Sequence, residues 1–242
     1  MGQLKAVIFG AIGTIAETSD LQRQAFNAAF ANAGVDWHWD AATYCELLET
    51  NGGQNRLQTY RDADASRSAV TNATIAQLHQ DKTDQYVAML KKTQLQPRPG
   101  VLELIAACRR EQILVAFCTS TTMDNVAAIR DALVRVLPFD QFSVIVTIDK
   151  IDKPKPAPDA YIYCLQQLGL SATDVVAIED TPVSIAAAKA LGIVTVATPG
   201  ATTSNQNFYA ADLKVPDLLG MTVDRLSKLL ETQVRFSANA HQ

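Results

Sequence analysis

Apolar and polar positions follow two regimes along the chain. Val7, Ile8 and Phe9 form a short apolar run that Gly13 punctuates, which predicts a buried strand running into a tight turn. Thr18-Ser19-Asp20 then offers cap chemistry, and Leu21, Ala25, Ala28, Ala29 and Ala33 recur at helical spacing up to Gly34. Residues 35 to 95 continue as helical segments without strand alternation, broken once at Asn51-Gly52-Gly53. Pro97, Pro99 and Gly100 mark a return hinge.

Beyond that hinge the pattern alternates. Helices are predicted over Val101 to Arg110, Met123 to Leu137, Pro158 to Leu168 and Pro182 to Leu191. Strands are predicted over Ile113 to Cys118, Phe142 to Thr147, Val175 to Ile178 and Ile193 to Ala197. Helices alternating with Val/Ile-rich runs imply right-handed βαβ units, and hence an α/β fold with a doubly wound parallel, Rossmann-like sheet. The tail from about Ser227 is predicted as a helix with a polar, frayed end.

Composition narrows the picture. At 242 residues and 48% hydrophobic, the chain can fill one large domain, or a domain carrying an insert. A formal net charge of −4 gives no case for nucleic acid or an anionic membrane. No apolar run approaches a membrane span, and no signal peptide is visible at the N-terminus. Ala6 stands where N-myristoylation calls for Ser or Thr. Cys45, Cys108, Cys118 and Cys164 have neither zinc-ligand spacing nor a disulfide framework, and read as buried thiols of a reducing cytoplasm.

Four stretches stand at strand ends, where open α/β sheets gather their ligands. They are Gly10-Ala11-Ile12-Gly13-Thr14, Thr119-Ser120, Lys155 in Lys-Pro-Ala-Pro-Asp, and Glu179-Asp180. Singly, each has a plain structural explanation: a helix cap, a helix-initiating loop, or a solvated acidic pair favoured by a helix dipole. In this order they resemble the four motifs of the haloacid dehalogenase superfamily. The closest branch looks like the CbbY-type sugar-phosphate phosphatases and their β-phosphoglucomutase relatives, with Ala25-Phe26, Gly52-Gly53 and Lys82 followed by Tyr86-Val87 as supporting detail.

The resemblance implies a core domain over 1–15 and 97–242, with a helical cap over 16–96. The family's first motif is Asp-x-Asp-Gly-Thr, so Gly10 would stand at the nucleophile and Ile12 at the acid/base. Glycine offers no side chain and isoleucine no titratable proton, so no catalytic residue is intact. The resemblance assigns phosphate binding to Thr119, Ser120 and Lys155, the former pair at a helix N-terminus. It assigns metal binding to the Ile12 carbonyl, Glu179 and Asp180, and substrate contacts in the cap to Gln22, Arg56 and Lys82. Gln22 stands where the family often has histidine, and a solvated charged face is the alternative for the cap cations. With one carboxylate lost, Mg²⁺ is expected weak or absent, and Lys155 becomes available to pair with Glu179 or Asp180.

The expectation is a pseudophosphatase that binds a small phosphorylated metabolite or a protein partner without turnover. The alternative is an active Mg-dependent phosphatase or phosphomutase using a substitute nucleophile or activated water, for which only the fold could bring a base to Gly10. Two neighbouring carboxylates lost together also fit a deliberate change.

Overall fold

The computed structural model describes residues 3–10, 12–50 and 52–239. Strand β1 (Ala6–Phe9) is wholly buried, as its run of Val, Ile and Phe requires. The expected tight turn after it is instead a single helical turn, α1 (Ile12–Ile15), closed by Ala16 N–H donating to the Ile12 carbonyl at 2.8 Å. The chain divides into two compact units, Met1–Glu17 with Gln96–Gln242, and Thr18–Leu95.

The second unit is helical: α2 (Ser19–Asn32), α3 (Ala41–Leu47), α4 (Gly53–Asp62) and α5 (Asn72–Leu90). Thr18 takes the N-cap position of α2 without a side-chain cap bond, whereas Asp40 and Thr71 do cap α3 and α5. The break predicted around Asn51 falls between α3 and α4, Asn51 itself lying outside the described residues. The core here is aromatic. Phe26, Phe30, Trp39 and Tyr44 pack with Leu57, Ile75 and Leu78, with Phe26 and Trp39 ring centroids 4.5 Å apart. Asn27 fixes Trp39 by bonding both its backbone N–H and its carbonyl, at 2.8 and 2.9 Å.

In the first unit the chain continues through α6 (Val101–Arg110), β2 (Leu114–Cys118), α7 (Met123–Leu133), β3 (Val144–Val146), α8 (Asp159–Leu168), β4 (Val175–Glu179), α9 (Pro182–Lys189), β5 (Val194–Ala197), β6 (Leu213–Lys214) and α10 (Val223–Asn239). The six strands form one sheet in the order β3-β2-β1-β4-β5-β6, every neighbouring pair parallel. Ile8 is in register with Ala116 on one side and Ala177 on the other. The strand order departs from β1 in two directions, so right-handed crossovers carry helices to both faces and leave a switch point between β1 and β4. Ala6, Ile8, Ala116, Val146, Tyr161 and Ala177 contribute to the buried core beside the sheet.

Several boundaries differ from the sequence pattern, most by one or two residues. Helix α7 stops at Leu133, and the strand predicted from Phe142 begins at Val144. Pro138 and a 3₁₀ turn at Phe139–Gln141 intervene, because Phe139 and Phe142 turn inward onto Phe117, with centroids 6.0 and 5.8 Å away. Strand β6 has only two residues and no apolar run to reveal it. Helix α10 starts before Ser227, since the Thr222 hydroxyl accepts from Arg225 N–H. The polar end beyond Asn239 lies outside the described residues.

Candidate active site

The switch point places the carboxyl ends of β1 and β4 side by side. Gly10 N–H donates to the Ile178 carbonyl at 2.8 Å, so residue 10 lies directly against Glu179. A Cβ built on Gly10 would overlap Glu179 Oε2, Cδ and Oε1, so the glutamate carboxylate fills the room that any side chain at residue 10 needs. Gly13 stands in the same relation to Asp180, whose Oδ2 takes the place of a Cβ there. The acidic pair at the end of β4 is therefore folded inward: Glu179 is fully buried and Asp180 is 8% exposed.

Lys155 supplies the counter-charge. Its Nζ donates to Glu179 Oε1 at 2.6 Å and to the Cys118 carbonyl at 2.9 Å, and the ammonium is 3% exposed. Tyr161, from α8, donates its hydroxyl to the same Glu179 oxygen, and its ring centroid lies 4.9 Å from Lys155 Nζ. Burial is the largest single influence and pushes the lysine down, but the Glu179 charge, its hydrogen bond and the smaller pull of neighbours such as Asp180 together hold Lys155 above its ordinary range. Burial, and then the same Glu179 charge, push the Tyr161 phenol well up. Asp180 rises to about 7, first through burial and then through repulsion from Glu179. Glu179 Oε2 and Asp180 Oδ1 are buried without a hydrogen-bond partner among the described residues.

Thr119 and Ser120 follow β2. The Thr119 hydroxyl accepts from Thr121 N–H at 3.2 Å, and the Ser120 hydroxyl accepts from Lys155 N–H at 3.1 Å, which anchors the lysine loop. The first amides of α7 are already served: Asp149 Oδ2 takes Met123 N–H at 2.8 Å, and Thr122 Oγ1 takes Asn125 N–H at 3.4 Å. Sequence reasoning missed Tyr161, because a tyrosine inside an amphipathic helix reads as core. It also missed Arg98, whose guanidinium donates to the carbonyls of Gly13, Thr198, Pro199 and Pro216 at 2.9, 2.6, 2.8 and 3.1 Å. Arg98 thus pins the turn after β1 to the loops after β5 and β6; its place beside Pro99-Gly100 was the available signal.

In the second unit Lys82 Nζ donates to Gln22 Oε1 and lies 5.0 Å from the ring centroids of both Phe26 and Tyr86. Lys82 is 6% exposed, and burial, followed by the charge of Arg56, lowers it to about 7. Arg56 itself bonds the carbonyls of Leu47 and Thr50 at 2.9 and 3.2 Å and stacks over Tyr44. His79, one turn before Lys82 on α5, is depressed by burial and then by both cations, and was not singled out from sequence. The solvated face considered for Lys82 is not what the fold provides.

The fold and site together define a class. A profile of haloacid dehalogenase-like hydrolases matches residues 4–192, and the chain belongs to that family. Within it, proteins of CbbY type are similar over nearly the whole chain. CbbY of Rhodobacter capsulatus is 39% identical over 227 residues, covering 94% of this chain and 99% of its own. The crystal structure of CbbY from Rhodobacter sphaeroides in complex with phosphate superposes with a TM-score of 0.80 at 35% identity, covering 89% of this chain and 95% of its own. A mutant of the same protein is known in complex with xylulose-1,5-bisphosphate. β-Phosphoglucomutase of Clostridium difficile shares the fold, with a TM-score of 0.78 at 17% identity.

Phosphatases of this family generally use Mg²⁺, an ion that demands near-octahedral oxygen ligation. Among the described residues no group of three or more His, Cys, Asp and Glu could hold a metal. Of the oxygens at the expected ligands, Glu179 Oε1 is committed to Lys155 and Tyr161, and the Ile12 carbonyl closes α1. Glu179 Oε2 and Asp180 Oδ1 are not so committed among the described residues, so only part of the expected ligand set is engaged elsewhere. No helix among the described residues is long and apolar enough to cross a membrane.

Proposed function

We propose that this protein is a CbbY-type pseudophosphatase: it binds a small sugar phosphate and does not hydrolyse it. One observation carries the reading. At the end of β1 neither Gly10 nor Ile12 offers a nucleophile or a proton, and the carboxylate that occupies the space, Glu179, is sealed from solvent and held by Lys155 and Tyr161. Phosphate-monoester cleavage is among the slowest uncatalysed reactions, with accelerations of up to about 10²¹-fold required of its enzymes. A site with no accessible carboxylate cannot supply that.

The retained parts favour binding. Lys155 is a buried cation, and Thr119 and Ser120 stand beside it at the end of β2. Gln22, Arg56 and Lys82 of the helical unit are proposed as further substrate contacts, as in the family, with the residue range Thr18–Leu95 acting as its cap. The sugar-phosphate class is argued from the CbbY mutant bound to xylulose-1,5-bisphosphate. Mg²⁺ is proposed to bind weakly or not at all.

The second reading is an active phosphatase or phosphomutase, favoured by the placement of the Glu179 carboxylate beside Gly10 as a substitute nucleophile. Assay of the purified chain on p-nitrophenyl phosphate and a panel of sugar phosphates, with Mg²⁺, separates the two. No phosphate release above background is expected. Turnover in the ordinary enzyme range of about 1–10³ s⁻¹ that is lost in Glu179→Gln would overturn the pseudophosphatase and establish the second reading.

A further inference from the structure

We propose that Glu179 is an internal anion that occupies Lys155 in the resting protein, so that a phosphate group reaches this lysine only by displacing the Glu179 carboxylate. The proposal rests on the reading above, that the site receives a phosphate ester, and adds how access to it is governed.

Three observations carry it. First, Lys155 and Glu179 are buried at 3% and 0% exposure and joined at 2.6 Å, so the lysine's charge is neutralised inside the protein. Second, the carboxylate lies in room left by the glycine at residue 10. Any Cβ there would overlap the three atoms of the Glu179 carboxylate group. Third, the carboxylate is held on one side only. Oε1 takes both Lys155 Nζ and the Tyr161 hydroxyl, whereas Oε2 is buried with no hydrogen-bond partner among the described residues. A buried charged oxygen left unbonded is costly, so this arrangement is weaker than a fully satisfied pair. Glu179 is also the last residue of β4, and its side chain can turn about its own torsions without disturbing the sheet. A dianionic phosphate offers the ammonium a stronger acceptor than one carboxylate oxygen, which gives the exchange its direction.

Two substitutions release the lysine by independent means. Gly10→Ala keeps every charge and removes the room for the carboxylate. Gly10 does not lie in the left-handed region, so its backbone accepts alanine. Glu179→Gln keeps the shape and removes the charge. Titration of inorganic phosphate into the full-length chain should show both variants binding about tenfold or more tightly than the wild type. Adding Lys155→Met to either variant should abolish the gain. Equal phosphate affinity in the wild type and both variants overturns the proposal, as does a gain that survives Lys155→Met.

Since either variant can fail to fold, the wild-type chain supplies a second measurement. Crystals soaked in phosphate should show the anion on Lys155 with the Glu179 carboxylate turned away. An anion bonded to Lys155 beside an unmoved Lys155–Glu179 pair overturns the proposal. Ester hydrolysis by the wild type would sink the pseudophosphatase reading, whereas the ratio of phosphate affinities sinks only the internal anion.

Discussion

The Glu179 carboxylate lies where a side chain on residue 10 would stand, and it bonds Lys155 at 2.6 Å. The glycine just after β1 and the glutamate that ends β4 are thus a single structural feature: the room left by one is filled by the other.

Repair of the first motif follows from this geometry. Gly10→Asp with Ile12→Asp should restore measurable Mg²⁺-dependent phosphate release, while each single change does little, because nucleophile and acid act as a unit. The aspartate must push Glu179 out, but the obstruction is the end of a flexible side chain and the backbone at Gly10 is permissive. Assay beside thermal melting decides. A double variant that melts like the wild type, binds Mg²⁺ and releases nothing from a broad sugar-phosphate panel would show that loss extends past these two residues, with Gln22 the next to restore.

Breaking the buried pair from one side should be expensive. Lys155→Met leaves the Glu179 carboxylate buried with no cation beside it and the Tyr161 hydroxyl still bonded to it, and a cost of about 3–5 kcal/mol is expected. Adding Glu179→Leu should recover most of it, because the uncompensated charge goes too. Urea denaturation of the single and double variants measures both. A single variant as stable as the wild type would mean that the pair contributes nothing.

Asp180 should make stability depend on pH. Its carboxyl is raised from 3.8 to about 7, so the folded state keeps a proton that the unfolded chain releases. Between about pH 4 and pH 7 the unfolded chain therefore binds fewer protons, and this group's contribution to stability falls as pH rises. Asp180→Asn should stabilise the protein at pH 8 more than at pH 4, by on the order of 2–4 kcal/mol. Equal effects at both pH values would place the proton elsewhere.

Lys82 gives the opposite slope. Burial first, and Arg56 second, lower it from 10.5 to about 7, so the unfolded chain holds the extra proton between these values. Stability from this group rises as pH climbs from about 7 to 10.5 and is lowest below pH 7. Lys82→Met should therefore stabilise the chain at pH 6 and lose that advantage by pH 10, followed by chemical denaturation at the two pH values.

Magnesium should add little. For a dissociation constant near 1 mM, Mg²⁺ at about 10 mM stabilises by only about 1.4 kcal/mol. Melting with and without the ion should differ by no more than that, and Asp180→Ala should erase what difference there is. A large shift that survives Asp180→Ala would show a different ligand set.

The sequence by itself determined the alternation of helices and strands, the all-parallel sheet, the ends of helices such as α8 at Gly169, and the order of the four motif stretches. These are local matters of apolar period, glycine and cap chemistry. It also showed that Gly10 and Ile12 carry no nucleophile or acid, which is a property of the side chains alone. It offered Glu179 and Asp180 as a solvated pair, as metal ligands by resemblance, or as partners of Lys155, without a basis for choosing. The tertiary structure decided that. Lys155 and Tyr161 lie 24 and 18 residues from Glu179 in the chain, and Arg98 reaches carbonyls 85 to 118 residues away. No periodicity encodes such pairings. They arise because parallel packing sets β1 against β4, a glycine just after β1 leaves room, and a buried carboxylate turns to a neighbouring buried cation.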